Sequence, residues 1–327
     1  MHILKLIRYK NIIFIVVTQL LIYYSIIVPT LGCFAISSAL TPLHITLLIL
    51  STALIAAGGY VVNDYFDIKI DRINHPDEIV ITKSIEKPTA MRIYQILTVL
   101  GLIIGIAASA MLKNLTLGLS YILVPGLLWF YSSSYKRQLI VGNLIVSVLA
   151  AFVPLIILIA EAGALTTYYT PQLLQQTPVL SQLYSYICGI SLAAFMFTFI
   201  REIIKDMEDE FGDREMECHT VPIVWGEKWA KTIVTALLII TNIALAFCAF
   251  SLIPFEGTLT IRYFIFGIAV PSIFLLIILW SNSCTAYKNA SKLAKFIMAA
   301  GILYSIVYYY LMAKTYGIPF FGMFQII

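Results

Sequence analysis

Two aspartate-rich segments of the chain repeat one spacing. Each reads DxxDxxxDR, and the six aspartates are Asp64, Asp67, Asp71, Asp206, Asp209 and Asp213. On a helix, side chains that are three and four residues apart lie on the same face. Each segment is therefore expected to present three carboxylates side by side.

Three carboxylates on one helical face repel one another. At a separation of roughly 5–6 Å, two like charges cost about 3 kcal/mol at an effective dielectric constant near 20. A bound cation would relieve this repulsion, and Mg²⁺ is suited because it takes oxygen ligands and bridges carboxylates to substrate phosphates. A single DxxD segment is also compatible with a solvated acidic helix end, but two copies with one spacing favour a metal site.

Basic side chains are interleaved with the aspartates. Lys69 and Arg72 belong to the first segment, Lys205 and Arg214 flank the second, and Arg201 lies one turn before it. A metal ion and basic side chains together suit an anion that carries several charges. We interpret the two segments as a diphosphate site, with Arg72, Arg201 and Lys205 as candidate contacts.

The rest of the chain is too apolar for a soluble protein. Of the 327 residues, 61% are hydrophobic and 12% are charged, whereas soluble domains carry about 25% charged residues. A spanning helix needs roughly 20 apolar residues, and the runs that qualify lie near residues 12–36, 43–62, 90–112, 115–133, 139–160, 183–200, 229–253, 261–281 and 295–313. Because these runs are continuously apolar and do not alternate, they argue against a membrane β-barrel. We predict an all-α polytopic membrane protein, with nine transmembrane helices in a bundle around a central cavity.

Charged residues indicate how these helices cross the membrane. With the N-terminus in the cytoplasm, 18 of the 21 Lys and Arg residues fall in cytoplasmic segments, as the positive-inside rule expects. Of the 17 acidic residues, 15 lie in the connections after the second and sixth helices, on the same face. We therefore expect the N-terminus, both aspartate segments, Cys218 and Cys284 on the cytoplasmic side of an integral cell-membrane protein.

The N-terminal basic residues do not indicate a signal peptide. Lys5, Arg8 and Lys10 precede an apolar run of about 25 residues, which is longer than the core of a signal peptide. We interpret this run as the first spanning helix. The net charge of +4 follows from the topology, so we expect membrane lipids as neighbours, no nucleic-acid partner and no obligate protein partner.

The chain resembles the UbiA superfamily of intramembrane prenyltransferases over essentially its whole length, as one domain of residues 1–327. The resemblance rests on the Asn63–Asp71 motif, on the second aspartate motif after the sixth helix, on the Tyr131–Asn143 stretch and on the Arg8–Asn11 pair. The segment Arg201–Asp213 is most similar to the branch that transfers a geranylgeranyl group to geranylgeranylglyceryl phosphate.

This resemblance implies a mechanism and further site residues. Each aspartate segment would hold one Mg²⁺, and both ions would bind a prenyl diphosphate and neutralise charge as its allylic C–O bond breaks. A water-poor cavity in the bundle would protect the carbocation, and the ring of Tyr131 could stabilise it. The additional substrate-binding residues are Asn63, Tyr131, Lys136, Arg8 and Asn11.

Two classes of acceptor remain open from the sequence. Similarity to the branch favours a prenylated glycerol phosphate, which would react through its hydroxyl oxygen. Its phosphate would need cations, for which the sequence offers Lys83, Lys87, Lys136 and Arg137. The alternative is an aromatic quinone precursor.

Some of the sequence departs from the family pattern or allows two interpretations. The loop after Asn74 lacks the Arg-Pro pair that many members carry, and the spacing from Tyr131 to Lys136 is one residue longer than usual. Near the first motif, Gly58 and Gly59 either leave room for the prenyl chain or let helices pack closely.

Other membrane functions fit the sequence less well. A transporter or channel normally needs ionisable residues at mid-membrane depth, and the interiors of these apolar runs contain almost none. A non-catalytic membrane scaffold gives no reason for repeating the aspartate spacing. The hydropathy excludes the soluble prenyl-chain synthases, which also use aspartate-rich motifs.

Overall fold

Each of the nine apolar runs forms a helix long enough to cross a membrane. The computed structural model describes residues 2–77, 79–253, 255, 257–281, 283 and 285–325. Over these residues the helices are α1 (His2–Leu6), α2 (Tyr9–Cys33), α3 (Pro42–Asn74), α4 (Lys87–Met111), α5 (Leu115–Ser133), α6 (Val141–Tyr168), α7 (Pro171–Gln176), α8 (Val179–Glu208), α9 (Glu210–Glu215), α10 (Val221–Trp225), α11 (Glu227–Ser251), α12 (Leu259–Leu279) and α13 (Ala286–Tyr316). All but α1, α7, α9 and α10 are candidate spans. The prediction of nine transmembrane helices is confirmed.

No strand occurs within this described part of the chain, where extended pairing is limited to two isolated bridges, Ile81 with Ile85 and Phe320 with Phe324.

Local sequence accounts for several helix starts. Thr41 begins α3 with a reciprocal cap, because its hydroxyl accepts from the His44 N–H at 3.4 Å and its own N–H donates to His44 Nδ1 at 3.2 Å. Asn114 caps α5 by accepting from the Leu117 N–H at 3.0 Å.

The helix α3, which carries the first motif, packs closely against α4. A Cβ atom placed on Gly58 would lie 2.5 Å from Thr98 Oγ1, and one on Gly105 would lie 2.6 Å from both Ser51 Oγ and Tyr121 Cγ. Small residues allow membrane helices to approach at this distance. Gly58 is therefore a packing residue, while its neighbour Gly59 contributes to the wall of the central cavity.

A cavity of about 980 Å³ lies between the helices, and every spanning helix except α4 contributes to its wall. Two of these helices, α2 and α12, contain a π-helical turn, at Tyr23–Ile27 and Ile265–Ala269, and α11 ends in one, at Cys248–Leu252. Each turn supplies lining residues, among them Ile26, Cys248 and Ile268. Such turns are frequent at functional sites in helical proteins. The predicted bundle around a central cavity is confirmed.

At the end of the bundle opposite the motifs, a buried carboxylate fixes the connection between α2 and α3. Glu161 on α6 is fully buried and accepts from Ser38 Oγ at 2.7 Å and from the Ala39 N–H at 2.8 Å. Tyr23 donates its hydroxyl to Ser38 Oγ at 3.0 Å or to the Leu40 carbonyl at 3.2 Å. This acidic residue therefore has a structural role, since its charge is matched by hydrogen-bond donors of one loop.

Candidate active site

The first aspartate motif lies on the last turns of α3. Asp64, Asp67 and Asp71 all belong to this one continuous helix, as the spacing predicts. Their side chains are half-buried because the helix end is covered by the N-terminal segment and by the connection after α5. The helix ends at Asn74, and His75 follows it with its N–H donated to the Asp71 carbonyl at 2.9 Å.

The second motif does not lie on one helix, and that part of the sequence prediction is wrong. Asp206 belongs to α8, which ends at Glu208, and Asp213 belongs to α9. Asp209 lies at the junction with φ −94° and ψ 3°. Hydrogen bonds from the Asp209 N–H to the Lys205 carbonyl (2.9 Å) and from the Asp213 N–H to the Asp209 carbonyl (3.1 Å) preserve the helical spacing on either side.

The break between α8 and α9 is filled by the end of the first motif helix. The Asn74 side chain donates to the Asp209 carbonyl at 3.0 Å and accepts from the Gly212 N–H at 2.9 Å. Next to it, His75 Nε2 lies 2.8 Å from Asp209 Oδ1. The two motifs, which are far apart in the chain, therefore meet directly. Asn74 and His75 follow the first motif in the chain, but nothing in the sequence indicated that they contact the second motif.

Basic and amide side chains hold the first set of carboxylates. Arg8 Nη2 lies 2.7 Å from Asp64 Oδ1, and this arginine has a left-handed backbone (φ 49°, ψ 54°) at the start of α2, a conformation uncommon for non-glycine residues. Lys136 Nζ contacts Asp67 Oδ1, and Asn63 Nδ2 donates to Asp67 Oδ2 at 2.8 Å. The structure thus brings Arg8 and Lys136 to the first motif, to which Asn63 belongs.

The second set of carboxylates is held more loosely. Asn143 on α6 donates to Asp206 Oδ2 at 2.8 Å, and Lys205 Nζ lies 3.7 Å from Asp209 Oδ2. Arg201 contacts its neighbour Glu202. Asn143 belongs to the stretch that carried the family resemblance, but its contact with an aspartate could not be inferred from the sequence.

Two carboxyl groups of the second motif differ in their electrostatic surroundings. Burial raises the pKa of Asp213 to about 6, and the nearby charge of Asp209 adds to this shift. Burial also acts on Asp209, but the hydrogen bond from His75 and the charge of Lys205 bring its pKa below its usual range. The surroundings of Asp213 therefore disfavour its charged form, whereas those of Asp209 favour it.

The donor atoms at this end of the bundle suit Mg²⁺, which prefers carboxylate oxygens and keeps several waters. Within the described part of the chain, however, no three His, Cys, Asp or Glu side chains are grouped closely enough to form a complete metal cage. Arg8, Lys136 and the two asparagines occupy aspartate oxygens instead. Metal binding would therefore require rotation of these side chains, and a substrate that brings its own phosphate oxygens would complete the coordination.

The cavity has a cationic end near the motifs. Six of the predicted substrate-binding residues contribute to its wall: Arg8, Asn11, Asn63, Tyr131, Arg201 and Lys205. Three charged lining residues, Lys10, Glu202 and Lys295, were not among the predicted residues. A further residue that was not predicted is Tyr60, whose ring lies 5.4 Å from the Arg8 guanidinium carbon.

Other predicted contacts lie away from the cavity wall. Arg72 is exposed, and none of the four cations proposed for an acceptor phosphate lines the cavity. Lys83 donates to the Pro76 carbonyl at 2.6 Å, and Lys87 lies 4.7 Å from the centre of the Tyr65 ring. These two lysines stabilise the loop and helix that follow the first motif.

The remainder of the cavity wall is mostly apolar and aromatic. Toward the end opposite the motifs, the rings of Tyr186 and Tyr308 lie 4.7 Å apart, centre to centre. Thr260 Oγ1 and the Tyr304 hydroxyl lie 2.9 Å apart, so these polar atoms satisfy each other. A long apolar group attached to a charged head would match this division between a cationic end and an apolar interior.

Comparison with known proteins agrees with this architecture. The model of the UbiA prenyltransferase family matches residues 26–301. A digeranylgeranylglyceryl phosphate synthase of Methanosphaera stadtmanae is 31% identical over 255 residues, which cover 77% of this chain and 82% of that protein. This family match confirms the resemblance that the two aspartate motifs indicated.

Solved structures share the fold. A structure described for digeranylgeranylglyceryl phosphate synthase in membranes has a TM-score of 0.60 at 24% identity and covers 94% of this chain and 97% of that chain. A UbiA homolog from Archaeoglobus fulgidus bound to GPP and Mg²⁺ has a TM-score of 0.55 at 17% identity and covers 92% and 98%. The chain belongs to the UbiA prenyltransferase family and is a multi-pass integral membrane enzyme.

Proposed function

We propose that the protein transfers a geranylgeranyl group from geranylgeranyl diphosphate to geranylgeranylglyceryl phosphate. The observation that carries this proposal is the meeting of two aspartate motifs at the cationic end of a long apolar cavity. In the reaction, the allylic C–O bond to diphosphate breaks, the acceptor hydroxyl oxygen forms a new ether bond to that carbon, and the hydroxyl proton is released. The name of the relative from Methanosphaera stadtmanae, digeranylgeranylglyceryl phosphate synthase, supports geranylgeranylglyceryl phosphate as the acceptor.

At the diphosphate, the aspartates of this chain would hold metal ions and its basic residues would bind the diphosphate oxygens. Asp64, Asp67 and Asp71 would hold one Mg²⁺, and Asp206, Asp209 and Asp213 a second; when bound, these ions neutralise charge on the departing diphosphate. Arg8, Arg201 and Lys205 line the cavity at this end and would bind the diphosphate oxygens. The departing group then remains bound while the new bond forms.

Neighbouring polar and aromatic residues would orient the reacting carbon. Asn11 and Asn63 line the same end of the cavity, and amide groups can donate to diphosphate oxygens. Tyr131 lines the wall next to them and presents an aromatic ring that can stabilise an allylic cation. Lys136 contacts Asp67 and does not line the cavity, so it would have to turn away from that carboxylate to bind the diphosphate.

The whole chain would act as one catalytic domain with its motifs facing the cytoplasm. Every spanning helix except α4, from α2 near the N-terminus to α13 near the C-terminus, contributes to one cavity, so a separately folding catalytic part is not expected. The positive-inside distribution of Lys and Arg supports the cytoplasmic placement.

The acceptor is tested by direct competition. Purified protein receives labelled geranylgeranyl diphosphate, Mg²⁺, geranylgeranylglyceryl phosphate and an aromatic quinone precursor together, and the products are identified by mass spectrometry. We expect the ether lipid as the dominant product, and none in the matched Asp67→Ala/Asp209→Ala variant. A dominant C-prenylated aromatic product would reject the lipid acceptor and leave prenyl transfer itself standing.

A further inference from the structure

The Asn74 side chain connects two segments that lie 138 residues apart. It donates to the Asp209 carbonyl at 3.0 Å and accepts from the Gly212 N–H at 2.9 Å. In an unbroken helix, the Gly212 N–H would bond to the Glu208 carbonyl. The amide of Asn74 therefore replaces a helical hydrogen bond at the point where α8 ends and α9 begins.

Gly212 makes this approach possible. A Cβ atom at this position would lie 2.4 Å from Asn74 Oδ1 and 2.6 Å from both Asn74 Cγ and Asn74 Nδ2. The amide cannot move aside without losing hydrogen bonds at both of its ends, since each end has its own backbone partner. A side chain at residue 212 and the observed position of Asn74 are therefore mutually exclusive.

We propose that Asn74 is a positioning residue that fixes the distance between the two aspartate motifs, an inference that rests on the proposed two-motif diphosphate site. Asn74 is the last residue of the helix that carries the first motif. Its side chain forms hydrogen bonds with the backbone of the segment that carries Asp209 and Asp213. It does not line the cavity, so it acts through the carboxylates and not on the prenyl chain. His75 reinforces the contact at the Asp209 side chain.

An asparagine is required because the contact needs a donor and an acceptor on one short side chain. Aspartate would keep the acceptor for the Gly212 N–H, but it would lose the donor and add a negative charge beside Asp209. Alanine would remove both hydrogen bonds and leave a gap between the helices. A misplacement of about 1 Å between reacting groups can lower a rate by about 100-fold, so loosening this contact should affect catalysis.

The test uses steric complementation between the two residues. Purified wild-type protein, Asn74→Ala, Gly212→Ala and Asn74→Ala/Gly212→Ala are compared for kcat, for KM of the diphosphate and for the Mg²⁺ concentration that gives half-maximal rate. We expect Asn74→Ala to lower kcat about 10- to 100-fold and to raise the Mg²⁺ requirement. Gly212→Ala should lower kcat at least as much, and the double variant should be no worse than Asn74→Ala because the new Cβ atom no longer collides with an asparagine side chain.

Gly126→Ala, where an added Cβ meets nothing within 4 Å, is the matched control and should behave as wild type.

Separate measurements distinguish a lost motif contact from a lost fold or a wrong reaction. Detergent size-exclusion profiles and unfolding temperatures should remain close to wild type for Asn74→Ala. Spin labels at the exposed positions Lys69 and Phe211, in a background without native cysteines, should show a broader distance distribution in Asn74→Ala than in the wild type. This distance needs no substrate, so it remains informative if no prenyl transfer to the proposed acceptor is found. Two results would overturn the proposal. One is a double variant in which the losses of kcat from the two single variants add up. The other is an Asn74→Ala variant with unchanged kcat, Mg²⁺ requirement and spin-label distances.

Discussion

At the scale of single residues, the charges that face the cavity differ in how they are paired. Arg8 contacts Asp64, Arg201 contacts Glu202, and Lys205 lies near Asp209. Lys295 lies among these charges on α13, yet among the described residues it has no hydrogen bond or ion pair. Three cations are thus paired with acidic side chains near the aspartate motifs, whereas Lys295 remains available to another anionic group.

We therefore expect Lys295→Ala to weaken binding of the phosphorylated acceptor. A charge-assisted hydrogen bond contributes about 1.5–3 kcal/mol, so the KM for geranylgeranylglyceryl phosphate should rise about 10-fold or more. The KM for the diphosphate should change little, in steady-state assays that vary one substrate at a time. Lys292→Ala removes an exposed lysine of the same helix that does not line the cavity and should leave both constants unchanged. A rise in the KM of the diphosphate alone would assign Lys295 to the donor.

The aspartates themselves should be indispensable for turnover. We expect Asp64→Ala, Asp67→Ala, Asp206→Ala and Asp209→Ala each to abolish measurable prenyl transfer, while the protein still inserts and purifies. Each change removes a candidate oxygen ligand of Mg²⁺. The measurement is product formation with Mg²⁺ or Mn²⁺, compared with an excess of chelator. Full activity in chelator, or in the double variant Asp67→Ala/Asp209→Ala, would contradict the metal site.

Arg201 and Lys205 should act mainly on the diphosphate. Arg201→Ala or Lys205→Ala removes a charged group from the cationic end of the cavity, so the KM for geranylgeranyl diphosphate should rise more than the Mg²⁺ requirement. Titrations of diphosphate and of Mg²⁺ on the same preparations separate the two effects. A change confined to the Mg²⁺ requirement would mean that these residues support the metal ligands and not the diphosphate.

At the scale of helices, the sequence predicted continuous elements better than interrupted ones. The nine spans and the placement of the first motif on one helix followed from apolar run length and from the i, i+3, i+7 spacing. The end of α8 at Glu208 did not, because the partner that replaces its missing hydrogen bond is Asn74, far away in the chain. Lys295 was likewise missed, since the face of α13 that lines the cavity is decided by packing against other helices.

Close packing of α3 and α4 should be sensitive to a single methyl group. In Gly105→Ala the new Cβ would lie 2.6 Å from Ser51 Oγ and from Tyr121 Cγ, and overpacking of this kind typically costs about 1–3 kcal/mol. We expect a lower unfolding temperature in detergent, measured by intrinsic fluorescence. Gly126→Ala on α5, which meets nothing within 4 Å, should be neutral or slightly stabilising. An equal response of both variants would show that the α3–α4 contact is not tight.

At the scale of the whole molecule, the positive-inside distribution predicts which end faces the cytoplasm. Cys218, one of the two cysteines expected on that side, is buried and would react poorly with any reagent, and Cys284 lies outside the residues that the structure describes. Exposed positions are better reporters: Lys83 on the motif side and Gln175 on the opposite side. In a background without native cysteines, an impermeant thiol reagent added to intact cells should label Gln175→Cys and spare Lys83→Cys. The reverse pattern would invert the topology.

The length of α3 determines the depth at which the aspartates lie. Its 33 residues correspond to about 50 Å at 1.5 Å per residue, against a hydrocarbon layer of about 30 Å. Asp64 lies about 33 Å and Asp71 about 44 Å along the axis from Pro42. An untilted helix that starts at one hydrocarbon boundary therefore carries these side chains to the level of the phospholipid headgroups on the other side. A lipid diphosphate already resides at that level, so it can reach the enzyme by lateral diffusion without its charged group being dehydrated in the bilayer interior.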